Sequence, residues 1–107
     1  MSFAIRASNA FDSRDIDAIA DLMHEDMVFV DDYEMYSRDD WLALFKAQID
    51  DGSMPDFSRE RFIVVDRRDI FAMEYVRDID GVPHRITNVG LKRDGKFWRF
   101  QVNRVPL

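Results

Sequence analysis

"IFAMEYVRDIDGVPHRITNVGLKRDGKFWRFQVNRV", residues 70–105, contains Asp-Gly twice, at 80–81 and 94–95, each time between runs rich in β-branched and aromatic residues. Asp-Gly readily takes the positive backbone angles of a tight hairpin turn, so the stretch predicts three antiparallel strands at 70–79, 83–93 and 96–105. Side chains alternate across a strand. On the first strand Phe71, Met73, Tyr75 and Arg77 share a face; on the second His84, Ile86, Asn88 and Gly90; on the third Trp98, Phe100 and Val102. The most aromatic combination, Phe71, Met73 and Tyr75 with Trp98 and Phe100, is expected to face the core. The other face mixes Arg, Thr, Gln and Val, which suits a wet dimer interface better than a core.

Upstream, "FIVV" (62–65) adds a fourth strand to the meander. The first half of the chain has a helical period instead. Phe3, Ala7, Ala10 and Phe11 form one apolar stripe. Ile16, Ile19, Ala20 and Met23 form a second, with Ser13 or Asp15 as its cap. A third helix is signalled by Ser37, with Asp39 and Asp40 in its first turn, where the helix dipole favours acids. It carries Trp41, Leu42, Leu44, Phe45 and Ile49 and stops at Gly52. "VFVD" (28–31) reads as a short strand before that helix. Helices first and strands later predict an α+β fold, with three N-terminal helices packed on a curved antiparallel sheet. The expectation is one domain over residues 1–107.

Composition narrows the function. Of the 107 residues, 47% are hydrophobic, which supports a packed core. With no cysteine, disulfides and thiolate chemistry are excluded. The N-terminus has no secretory pattern, and no run approaches the roughly 18 apolar residues of a membrane span. A cytoplasmic location is the expectation. The net charge of −6 disfavours nucleic acid and anionic membrane as partners. Phosphate loops, nucleophile elbows and paired zinc histidines are absent; "MHEDM" around His24 lacks a second His. No metal and no cofactor are expected.

The residues left with chemistry are Asp31, Asn88 and His84, with aromatics around them. Asp31 continues the side of Phe29, so an inward Phe29 delivers its carboxylate to the interior; a turn residue is the other reading. Asn88 is either held by neighbouring side chains or donates to a ligand carbonyl. His84, near Asp80-Gly81, lies at a pocket mouth or on the surface. Tyr33, Trp41, Phe71, Met73, Tyr75, Trp98 and Phe100 are core or the walls of a ligand site. Arg77 and Arg104 share the inward parity, and either bind an anion or pair with acids.

The stretch "FDSRDIDAIADLMHEDMVFVDDYEMYSRDDWLALFKAQI" (11–49) resembles the N-terminal half of the NTF2-like superfamily, in its SnoaL-like and ketosteroid-isomerase-like branch. The resemblance lies in Asp15-Ile16-Asp17-Ala18-Ile19, in Glu25-Asp26 through Asp31, and in Ser37-Arg38. "VGLKRDGKFWRFQVNRV" (89–105) is similar to the last two strands of that family. The resemblance implies a cone-shaped, cystatin-like α+β barrel with a pocket between helices and sheet, and a homodimer through the outer sheet face. It places the isomerase's general base at Asp31 and its oxyanion-hole acid near Asn88. The oxyanion-hole tyrosine falls near Ala7, which has no hydroxyl. The function implied is binding of a small, largely apolar molecule, with cofactor-free acid–base chemistry of an isomerase, dehydratase, cyclase or hydrolase and Asp31 as base. The alternative is a non-catalytic dimeric binding or interaction domain. A cavity of about 300 Å³ or more, on which Asp31 and Asn88 converge, separates the first from the second.

Overall fold

The computed structural model describes residues 2–107. Its elements are α1 (Phe3–Ser13), α2 (Ile16–Asp21), β1 (Met23–Asp31), β2 (Glu34–Ser37), α3 (Arg38–Asp51), β3 (Phe62–Asp66), β4 (Ile70–Ile79), β5 (Val82–Arg93) and β6 (Lys96–Pro106). Both Asp-Gly pairs form the expected turns, with φ of 52° and 79° at Asp80 and Gly81, and 54° and 71° at Asp94 and Gly95. Positive angles at both central residues match the twist of the flanking strands. Asp15, rather than Ser13, caps α2 by accepting from the amides of Asp17 and Ala18. Ser37 caps α3 through the Asp40 amide, and Gly52 closes that helix in the left-handed conformation.

The six strands lie in the order β2-β1-β6-β5-β4-β3 and make one curved, mixed sheet. The expected antiparallel sheet needs one correction, because β1 and β6 run parallel. A parallel pair cannot be joined by a hairpin, and here most of the chain separates the two strands. The sheet also reaches further upstream than "VFVD". The second helix ends at Asp21, before Met23, and "MHEDM" belongs to β1. Arg38 receives the freed helix end, donating to the carbonyls of Ala20 (3.1 Å) and Met23 (3.3 Å). The Leu22 carbonyl accepts from the Phe97 amide at 2.8 Å, which ties the strand start to β6.

β6 departs from strict alternation. Leu91 is opposite Arg99 while Lys92 is opposite Phe97, so Trp98 is an extra residue without a partner. This bulge turns Phe97 and Phe100 both inward, and both are buried. Gly90 is what admits them: a Cβ there would stand 2.6 Å from Phe97 Cδ1 and 2.8 Å from Phe100 Cδ2.

The core joins Ala7 and Ala10 of α1, Ile19 of α2 and Trp41 and Phe45 of α3 to the inner sheet face at Phe29, Phe71, Tyr75, Ile86, Phe97 and Phe100. The start of α1 is fastened by a part-buried ion pair. Lys92 Nζ lies 2.7 Å from Asp66 Oδ1, and Asp66 Oδ2 accepts from the Ala4 amide at 3.0 Å. Burial pushes the Asp66 carboxyl up, but the Lys92 ammonium and the Ala4 amide outweigh it and hold it below the usual aspartate value.

Candidate functional site

A cavity of about 140 Å³ opens between α1, α3, the segment around Pro55 and Phe57, and the inner sheet face. It is smaller than the 300 Å³ expected, yet an engineered apolar cavity of about 150 Å³ takes up benzene. One aromatic ring is therefore the natural scale of an occupant. The walls are themselves aromatic. Phe29 stacks on Trp41 with centroids 4.4 Å apart, Trp41 meets Phe45 edge-on at 4.5 Å, and Phe57 meets Tyr75 edge-on at 5.4 Å.

Register gathers the polar groups on one part of the wall. Tyr75, Ile86 and Arg104 lie in one row across β4, β5 and β6; Met73, Asn88 and Val102 form the next. Asp31 is opposite Val102 at the end of β1, so Arg104 is two residues on along the same face of β6. Asp31 and Arg104 form a two-pronged ion pair. Arg104 Nη2 donates to Asp31 Oδ2 at 2.9 Å and Nη1 donates to Oδ1; Nη1 also reaches Asp32 Oδ2 at 3.1 Å. The bonds to Asp31 push the Arg104 guanidinium above its already high ordinary value. Tyr75 is buried, which raises its hydroxyl above the ordinary tyrosine value and keeps it a donor. Asn88, only 8% exposed, lies diagonal to Tyr75 on β5 and lines the same cavity.

The structure thus brings Asp31, Asn88, Trp41, Phe71, Met73, Tyr75 and Phe100 to one cavity. Three expected site residues lie elsewhere. Tyr33 is fully exposed in the tight turn between β1 and β2, where Asp32 takes a φ of 54° and carries the chain away from the sheet. Trp98 occupies the bulge and is held outside between Arg93 and Arg99, whose guanidinium carbons lie 5.3 and 3.9 Å from its ring centroid. His84 keeps the inward parity but sits opposite Pro106, beyond the cavity wall, with Nδ1 2.7 Å from the Val82 carbonyl. Among the described residues no three His, Asp or Glu side chains form a metal-binding group, and no helix is long and apolar enough to cross a membrane.

Strand parity could not reach several lining residues. Phe57 stands in a loop, which has no period. Phe97 was hidden by the bulge. Arg61 reaches the wall from beyond α3, held by Asp12 through two hydrogen bonds of 2.9 and 2.7 Å.

In sequence the chain matches no family model and none of the curated proteins. In structure it is similar to an NTF2-like protein from Burkholderia xenovorans, with a TM-score of 0.70 and 19% identity over 94% of this chain and 79% of that one. A protein from Sinorhizobium meliloti, provisionally described as a polyketide cyclase, gives 0.68 and 17% identity over 92% and 90%. One from Kribbella flavida, provisionally described as a ketosteroid isomerase, gives 0.70 and 13% identity over 95% and 74%. The chain has the NTF2-like, cystatin-like fold, and its structural neighbours include proteins of the polyketide-cyclase and ketosteroid-isomerase type.

Proposed function

We propose that the protein binds a small, ring-sized, largely apolar molecule in the cone, with its polar group directed at Tyr75 and Asn88. The observation that carries this reading is an aromatic-walled cavity with its donors gathered on one part of the wall. The likeness to cyclase-type and isomerase-type proteins agrees with it. In the reading that includes turnover, Asp31 is the base and Tyr75 and Asn88 are donors to the developing oxyanion, with no cofactor. Both oxygens of Asp31 accept from Arg104, and each keeps a further lone pair with which to take a proton. The fork holds the Asp31 carboxylate in place on the cavity wall.

Titration with phenol, followed by Trp41 fluorescence in a Trp98→Phe background, tests the binding. A saturable change that Val102→Phe abolishes in a folded protein is the expected result. The absence of any saturable change with phenol, indole or toluene sinks the reading. For turnover, Asp31→Asn must abolish activity on any identified substrate while leaving ligand affinity within a few-fold; retained activity removes Asp31 as base.

We further assign the outer sheet face to a second copy of the chain. Among the described residues no helix covers it, and it presents Val28, Val30, Val89, Leu91 and Val105 among Thr87 and Gln101. Sedimentation should give a dimer that Leu91→Lys converts to monomer. A monomeric native chain refutes the assignment.

A further inference from the structure

The charges on the cavity wall do not cancel. Asp31, Arg61, Arg77 and Arg104 line it. Arg104 is paired with Asp31 and Asp32, and Arg61 with Asp12. Asp78, next to Arg77 in the chain, is paired with Arg59 across the strand edge. Among the described residues no acid forms an ion pair with Arg77, so the wall keeps one guanidinium without a counter-charge.

Arg77 and Tyr75 are two residues apart on β4 and share its inner face, with Asn88 diagonal to Tyr75 on β5. From this juxtaposition we propose that the cavity is a site for a small aromatic carboxylate, its anionic oxygens held by Arg77 together with the Tyr75 hydroxyl and the Asn88 amide. The proposal rests on the binding reading above and names the class of ligand.

Three features favour an anion over a neutral ligand. A carboxylate gives the Arg77 guanidinium the planar, two-pronged partner that its geometry fits. The neighbouring groups are donors: burial keeps the tyrosine protonated, and the amide offers two N–H groups. Arg104 is already engaged on both prongs, so it does not compete for the ligand. The size of the chamber admits a single ring behind the carboxylate.

The test compares benzoate with benzamide, its neutral isostere, by calorimetry on the full chain. Hydrogen bonds to a charged group predict that benzoate binds about tenfold or more tightly than benzamide. Arg77→Gln should erase that preference while leaving benzamide affinity within about twofold, which also shows that the variant is folded. Arg77→Lys keeps the charge without the fork and should retain part of the preference, whether or not the Gln variant folds. Equal affinity of the native chain for both probes overturns the anion site and leaves the binding reading intact. A preference that survives Arg77→Gln and vanishes in Arg104→Gln overturns the assignment to Arg77. Binding of neither probe overturns both readings.

Discussion

Removing the carboxylate of Asp66 should loosen the whole α1 wall of the cone. Lys92 is 5% exposed and Asp66 19%. Breaking a buried pair by deleting one partner costs about 3–5 kcal/mol, because the other charge is left without compensation. Asp66→Ala leaves the Lys92 ammonium with only the Arg67 carbonyl at 2.7 Å and the Phe3 ring at 4.2 Å, and it strands the Ala4 amide. Because Asp66 retains some contact with water, the low end applies, about 3 kcal/mol. For a domain of this size that is a fall in Tm of roughly 12–24 °C. Lys92→Met should cost less, about 2 kcal/mol, since Asp66 keeps the Ala4 amide and the methionine stem still covers Phe3. The double variant should lose at least about 1 kcal/mol less than the sum. The pH dependence has a defined sign. The folded carboxyl is held below its unfolded value of about 3.9, so its contribution is complete above that value and disappears as pH falls through the lower folded one. Urea unfolding at pH 7 and at pH 3 reads both effects. A loss below about 1 kcal/mol at pH 7, or the same loss at both pH values, refutes the reasoning.

Gly90→Ala places a methyl group within 3 Å of Phe97 and Phe100 and should cost about 1–3 kcal/mol by denaturant unfolding, with the cavity wall displaced. Ser37→Ala removes the acceptor for the Asp40 amide and should cost about 1 kcal/mol, lost mainly from α3 as seen by hydrogen exchange. Tyr33→Ala should change stability by less than about 0.5 kcal/mol and leave phenol binding untouched, because the side chain is fully exposed. Trp41→Ala, by contrast, removes a buried wall residue stacked on Phe29 and should cost about 3–5 kcal/mol, measured by thermal and urea unfolding.

The meander was legible because its signals are local. Each Asp-Gly pair fixes its own turn, and the period of two then assigns Phe71, Met73, Tyr75, Ile86 and Asn88 to a common face. Asp31 was legible for the same reason, two residues from Phe29 on one strand. The failures are all tertiary. The bulge at Trp98 exists because Phe97 and Phe100 both fill the cone over Gly90, and nothing within "KFWRF" announces it. The early start of β1 depends on Arg38 and on the Phe97 amide, far along the chain. The sequence placed Arg104 and Asp31 on the inside but could not pair them, because β6 lies beside β1 only through a parallel crossover that spans residues 32–95. Arg77 is the complementary case: among the described residues no acid forms an ion pair with it.

The extra residue at Trp98 also makes β6 two short strands of opposite phase, spliced end to end. Were β6 to alternate strictly through Trp98 instead, the inward Phe97 would turn Arg99, Gln101 and Asn103 to the interior and send Arg104 outside. The bulge near the turn therefore decides, six positions later, whether Asp31 has a cation to meet. Deleting Trp98 would leave β6 regular, with Phe97 opposite Lys92 and Arg99 opposite Leu91 as direct neighbours, so Phe97, Phe100 and Arg104 all keep their inward phase and only the Trp98 stack between Arg93 and Arg99 is lost. Length in this hairpin is therefore tolerated at the bulge and not beyond it: one residue inserted between Phe100 and Arg104 would turn Arg104 away from Asp31.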